Sequence, residues 1–248
     1  MDQTRIGVVN VLGVLAPGTL ITLAVGIAAV GAMEAQGNTT YRPVLVAAAN
    51  AQFVTSTVLL LLAYLFGATV RLFANDLAEV ASRRYLKIMR RGSTAMASER
   101  FPYPYIAERI RDNINPRITE FLAAENPSFA VEGNKDFYNY CKSYVRTHSP
   151  ARADACEQIE GYVRFLAGAY CGATCVLVSC SVLAAVFVAA GRVSASIPLV
   201  AVAIAMLLVI MGILARFRQQ HGREVMHTWI AYYDAKVEQK SPAPPEAH

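Results

Sequence analysis

Four uninterrupted apolar runs divide this chain: Ile6 to Met33, Val44 to Val70, Phe165 to Ala190 and Val193 to Ala215, none broken by Asp, Glu, Lys, Arg or His. A helix of about 20 apolar residues crosses the hydrocarbon core of a bilayer, so each run predicts a transmembrane helix. The first run is longer than the roughly 7–15 apolar residues of a cleavable leader, and an uncleaved first span is expected. The predicted fold class is all-α: a polytopic membrane protein with four transmembrane helices and a helical cytoplasmic extension between spans 2 and 3. It divides into a first transmembrane hairpin over 1–71, cytoplasmic stalks and insert over 72–164, a second hairpin over 165–215, a cytoplasmic amphipathic helix over 216–240 and a disordered tail over 241–248.

Between the spans the pattern changes period. Past Arg71, the residues Phe73, Leu77, Val80, Ala81, Tyr85 and Ile88 fall mostly three or four apart, as on one helical stripe. Neither Pro nor Gly occurs from Thr69 to Arg91, and Gly92-Ser93 then punctuates the pattern. This predicts a second-span helix that projects several turns past the membrane. Ser149-Pro150 is a start signal, with Ser at the N-cap and Pro at the first helical position. A helix of roughly 40 residues from there to Ala190 would measure about 60 Å, twice the hydrocarbon thickness. Glu79 and Arg83, and Glu160 and Arg164, are i,i+4 pairs.

The insert between these stalks reads as small and helical. Phe101-Pro-Tyr-Pro-Tyr105 is an aromatic-proline strip, Asn115-Pro116 a second start signal, and Phe137, Tyr138, Cys141, Tyr144 and Val145 an apolar stripe. About 60 residues hold too little core to stand alone. After the fourth span, Val225, Met226, Trp229, Ile230, Tyr233 and Val237 continue at helical spacing.

Charge orients this arrangement. The 248 residues carry 23 Lys and Arg against 18 Asp and Glu. Twenty-one of those 23 bases lie at the N-terminus, between spans 2 and 3, or after span 4, and only Arg42 and Arg192 lie in the other two loops. Lys and Arg accumulate on the cytoplasmic side. Both termini and the middle segment are therefore predicted to be cytoplasmic, with the protein in the cell membrane. The basic excess is thus a topological signal and not a nucleic-acid footprint. The two outer loops hold no cysteine, which excludes a disulfide framework there.

Candidate chemistry is sparse. Gly168 and Gly172 form a GxxxG motif, with Ser179 almost on the same face; such small residues let helices approach closely. Either self-association or packing against another span would use it. Asn10, Asn50, Gln52 and Ser56 are polar residues at depth, where an unpaired amide costs several kcal/mol; they predict either interhelical hydrogen bonds or a wet lumen. Pro17-Gly18 predicts a kink in the first span. Arg83, Arg84, Lys87, Arg90 and Arg91 form a basic cluster suited to anionic headgroups or an anionic ligand.

Asn75-Asp76 and Glu79 are the nearest approach to an enzyme site, at the inner interface. They lack the Glu-x-x-His companion of a helical di-metal centre. The four histidines share no metal-site spacing, and no nucleophile-elbow, HExxH, P-loop or dinucleotide fingerprint occurs. No metal, cofactor or catalytic residue is assigned. The absence of ionisable residues within the spans argues against a proton-coupled pump. The layout is similar to that of small bacterial membrane effectors and channels, an analogy of architecture alone.

Three functions remain open. One is a self-associating channel-like or membrane-effector protein controlled by its cytoplasmic helical part. The second is a non-conducting membrane scaffold or adaptor. The third is a membrane enzyme with its site near Asp76. The expected partners are the lipid bilayer, further copies of the chain, and a cytoplasmic protein or small molecule.

Overall fold

The computed structural model describes residues 3–90 and 135–240, and all regular structure among them is helical. The helices are α1 (Gln3–Ala35), α2 (Tyr41–Asn50), α3 (Gln52–Arg71), α4 (Ala74–Arg90), α5 (Lys135–His148), α6 (Pro150–Ala189) and α7 (Val193–Lys240). The aromatic-proline strip, the Asn115-Pro116 start signal, Arg91 and the expected tail over 241–248 lie outside the described residues. Among the described residues, four helices are long and apolar enough to cross a membrane, over Gly13–Ala35, Gln52–Arg71, Pro150–Ala189 and Val193–Gln239. This is an integral membrane protein.

The chain forms two compact units. The first holds Met1–Gly92 and Gly161–Phe217, and within it α1 lies close against α6. An added Cβ at Gly13 would lie 4.0 Å from Phe165, one at Gly168 would lie 2.9 Å from the Pro17 ring, one at Gly172 2.8 Å from Leu20, and one at Gly31 2.5 Å from Leu183. The offset between partners hardly changes from Gly13 to Gly31, so the two helices run parallel and in contact across about 27 Å. Further along, Ala24 joins Val176, Cys180 and Ala203 in a buried cluster that brings in α7.

On its other side α1 meets α3. A Cβ at Gly18 would sit 1.6 Å from the Ala63 carbonyl oxygen, and one at Gly67 would sit 1.9 Å from that of Val14. Here backbone touches backbone. The missing side chains at 18 and 67 are what permit the crossing. Beyond it, α3 buries only Ala63 and Gly67, and Phe53, Val54, Leu60, Leu61 and Leu65 are exposed. Outward apolar residues are the expected surface of a helix in lipid, where hydrocarbon solvates them as well as a core does.

The run Val44 to Val70 is two helices rather than one. Ala51, at φ −97° and ψ 50°, separates α2 from α3. The break leaves the Ala48 carbonyl without its helical donor, and Thr55 Oγ1 supplies one at 2.8 Å. The two turns at this end share one device: Gly37 and Gly191 take positive φ of 70° and 74°. In each, the following amide bonds five residues back, Asn38 N to Met33 O at 2.9 Å and Arg192 N to Phe187 O at 2.8 Å. Glycine is favoured there because a Cβ disfavours left-handed backbone.

The expected second-span stalk departs from the structure. A two-residue turn at Leu72-Phe73 ends α3, with Leu72 N bonding Thr69 O and Phe73 N bonding Val70 O. Ala74 and Ala78 of α4 then join Val163, Leu166, Ala167, Cys171 and Phe217 in one buried cluster. Its next turn, Ala81 and Tyr85, packs against Ala173, Ile210 and Leu214, inside the third and fourth apolar runs. Nothing in the local sequence forbids the turn, because the small stripe Ala74, Ala78 and Ser82 gives α4 a face that packs closely on α6 and α7.

The second unit holds Ser93–Glu160 and Arg218–His248. Its described parts are α5, the start of α6 and the end of α7. Helix α6 begins at Pro150 and runs 40 residues, the length anticipated from Ser149-Pro150. Helix α7 runs 48 residues without a break, so the fourth span and the helix expected over 216–240 are one element. Cys141, Val145, Ala153, Cys156, Ala231 and Tyr232 form this unit's core.

Candidate functional site

The unexpected chemistry lies on α7 in the second unit. Its apolar residues Val225, Met226, Trp229, Ile230 and Tyr233 are half-buried, and Val237 is exposed. The fully buried row is Gln220, Glu224, Thr228, Ala231 and Ala235, continuing the helical spacing from Phe217. Three consecutive buried turns are therefore polar. A buried polar group has to be hydrogen-bonded or it costs about 1–3 kcal/mol, and Glu224 and Thr228 meet that demand. Tyr138 of α5 donates its hydroxyl hydrogen to Glu224 Oε1 at 2.8 Å. His221 Nδ1 lies 3.3 Å from Glu224 Oε2. Thr228 Oγ1 donates back to the Glu224 carbonyl at 2.9 Å. Burial pushes the Tyr138 phenol well above its usual 10.0, and the Glu224 carboxylate adds to the effect.

Around this row the unit is clasped by ion pairs. Lys142 pairs with Glu160, and Arg146 with Glu157. Arg152 holds Glu238 with two nitrogens at 3.1 and 2.6 Å, with Asp234 at 4.0 Å. The Tyr144 ring stacks on His148 at 4.1 Å and meets Tyr232 edge-on at 5.1 Å, while Lys236 Nζ lies 4.1 Å from its centre. Exposed pairs of this kind contribute roughly 0–1 kcal/mol each and mainly fix register between helices.

A cavity of about 10 Å³ adjoins Thr228, lined by Lys142, Val145, Arg146, Ala153, Cys156 and Glu157. That is room for a single water. Tyr138, Glu224 and His221 form one hydrogen-bonded set that joins α5 to α7. It acts as a buried polar key that fixes how α5 seats on α7.

The residues singled out in the spans are spread over the first unit. Pro17 is fully buried, its ring seated on Gly168. Gly168 and Gly172 both face α1 of the same chain, Gly172 also 2.9 Å from the Pro17 carbonyl oxygen when a Cβ is added. Ser179 is half-buried. Gly18 faces α3, a contact that sequence reasoning missed along with Ala63 and Gly67. The small-xxx-small spacing of Ala63 and Gly67 was the available signal.

Asn50, Gln52 and Ser56 are exposed, with Asn50 and Gln52 on either side of the break at Ala51. They do not converge on a lumen inside this chain. Asn10 lies in α1, and Lys87 and Arg90 in the last turn of α4. Arg83 and Arg84 are exposed, and Arg83 pairs with Glu79 as the spacing implied. Asp76 is exposed, and no group of three His, Cys, Asp or Glu among the described residues is arranged to hold a metal. At the opposite end of the unit, Tyr41 and Arg42 bond the Glu34 carboxylate, Arg42 at 3.0 Å, and Arg192 donates to the Glu34 carbonyl at 3.0 Å. This joins the two turns at that end.

No protein-family model matches the chain, and no curated protein or solved structure does either.

Proposed function

We propose that the protein is a self-associating membrane protein whose copies meet through the outward face of α2 and α3, leaving a polar path between them. The observation that carries this reading is the exposure of Asn50, Gln52 and Ser56. Amide and hydroxyl groups turned away from their own bundle need partners or water at membrane depth, and a neighbouring copy supplies both. The basic end, with Arg71, Arg164 and Arg216, then faces the cytoplasm, as the division of basic residues implies. The second unit, inside which the Tyr138–Glu224 bond ties α5 to α7, is the part through which a cytoplasmic signal acts.

Flux assays on the full chain in liposomes test the reading. Ion flux is expected from the reconstituted protein. Gln52→Leu with Ser56→Leu should lower it at least tenfold while the oligomer size holds. An oligomer that passes no ion would leave a non-conducting scaffold, a reading favoured by the close packing of α1 on both α3 and α6. A monomer in bilayers would overturn self-association itself.

A further inference from the structure

Helix α4 lies lengthwise along two of the spanning helices. Ala74 and Ala78 share a buried cluster with Val163 and Ala167 of α6 and Phe217 of α7. Two turns on, Ala81 and Tyr85 pack against Ala173 of α6 and Ile210 and Leu214 of α7. The contacts thus step forward along α6 and backward along α7. The chain descends α3 to the basic end, turns at Leu72-Phe73, and α4 carries it back beside the spans. At the far end α6 and α7 are joined by the turn at Gly191-Arg192, and Ala173 and Ile210 each lie about 25 Å from it. The hydrocarbon core is about 30 Å thick. With that turn at its far boundary, Tyr85 is already at the level of the acyl chains, and α4 runs on to Arg90.

The face that α4 turns away from the bundle is charged. At 100° per residue, Asp76, Glu79 and Arg83 point about 150° from Ala74, Ala78 and Tyr85. Asp76 and Arg83 are exposed, and Glu79 is half-buried and paired with Arg83. Phe73, Leu77 and Val80, at 44%, 49% and 51% exposed, form a separate stripe between the two faces, suited to acyl chains. Ionisable side chains at membrane depth turn to a bundle interior or to a water-filled cavity, not to lipid. Here the bundle interior is on the opposite face, so water is what remains. A helix that enters a membrane without crossing it is tolerated where it lines such a cavity.

We propose that α4 is a re-entrant half-span, and that its Asp76, Glu79 and Arg83 face borders a water-filled cleft that opens at the basic end and admits small hydrated ions. The row Ala74, Ala78 and Ser82 holds the helix in place, because small residues let it close on α6 and α7. The Glu79–Arg83 pair offsets two of the charges on the wetted face, and the Phe73, Leu77 and Val80 stripe seals its edge against lipid. This placement stands whether or not copies meet through α2 and α3.

Thiol accessibility and lipid quenching test it on the full chain. Of the five cysteines only Cys175 is exposed, so Cys175→Ser gives a quiet background for Asp76→Cys, Leu77→Cys, Val80→Cys and Arg83→Cys, each in phosphatidylcholine nanodiscs. The water-soluble reagent sulfonatoethyl methanethiosulfonate should modify Asp76→Cys and Arg83→Cys at least tenfold faster than Leu77→Cys and Val80→Cys. Asp76→Cys leaves the Glu79–Arg83 pair intact, so it reads the face even if Arg83→Cys disturbs the helix. The chain has one tryptophan, Trp229; in a Trp229→Phe background, lipids brominated on the acyl chain should quench Val80→Trp at least twofold. An unquenched Val80→Trp would put α4 outside the membrane and overturn the half-span, whatever the thiol rates. Quenching with slow modification at all four positions would overturn the cleft, and equally fast modification at all four would overturn the division between a wetted face and a lipid stripe. None of these readings requires that the protein conduct ions.

Discussion

Replacing Gly18 by alanine is the sharpest single test of how the membrane unit is held together. The added carbon would lie 1.6 Å from the Ala63 carbonyl oxygen, 2.5 Å from its carbon and 2.9 Å from the Gly67 nitrogen. Ordinary contact begins at 3.4 Å, so the helices must separate by nearly 2 Å at their crossing. All three atoms belong to backbone, so no rotamer change relieves the clash. Overpacking costs about 1–3 kcal/mol where side chains can adjust, and the upper end applies here, about 3 kcal/mol. That lowers the folded-to-unfolded ratio on the order of a hundredfold.

The assay is unfolding by SDS in mixed micelles, followed by circular dichroism. Gly26→Ala is the control, because no atom lies within 4 Å of its added carbon and alanine favours the helix by about 1 kcal/mol over glycine. Gly67→Ala should resemble Gly18→Ala, since its carbon would meet the Val14 carbonyl at 1.9 Å. The double substitution should cost little more than either single one, because both act on one crossing. If Gly18→Ala unfolds at the same SDS fraction as Gly26→Ala, the close crossing of α1 and α3 is wrong.

Two further predictions concern the other helix contacts. Gly172→Leu should reduce yield and protease resistance rather than shift an oligomer toward smaller species, because its side chain would collide with Leu20 and the Pro17 carbonyl of the same chain; normal folding with altered oligomer size would contradict this. In the second unit, the buried Tyr138 phenol stays protonated while an unfolded tyrosine ionises near 10.0. A raised folded-state value gives stability that is fully present below pH 10 and lost as pH rises beyond it. Thermal melts should therefore show a fall in stability above about pH 10 that Tyr138→Phe flattens, while at neutral pH that variant loses about 1–3 kcal/mol by stripping a hydrogen bond from buried Glu224. An unchanged high-pH slope in the variant would remove Tyr138 from this role.

Helix content and the four apolar crossings were legible from the residues alone. Their signal is the length of uncharged runs, a one-dimensional quantity that lipid enforces whatever the tertiary arrangement. The start of α6 at Pro150 was legible for a similar reason, since Ser149-Pro150 acts within one turn. The break at Ala51 was not, because no Gly or Pro marks it and Thr55 repairs the freed carbonyl from a turn away. Nor was the direction of α4 after Leu72. An amphipathic stripe tells which residues share a face, but not that Ala74, Ala78 and Ala81 would face the bundle while Phe73, Leu77 and Val80 face out.

The buried row Gln220, Glu224 and Thr228 shows the same limit most clearly. Hydrophobic periodicity ranks Val225, Trp229 and Tyr233 above it, and only a partner from α5, 86 residues away in sequence at Tyr138, makes burying a carboxylate affordable. The Gly168 and Gly172 motif marks a surface able to accept a close neighbour, but small size carries no address. It took the parallel register of α1 and α6 to bring Pro17 and Leu20 to it. Sequence by itself determined where the chain meets lipid, because that depends on composition along a segment. The tertiary structure decided which face meets which, because that depends on shape and hydrogen bonding between segments far apart in the chain.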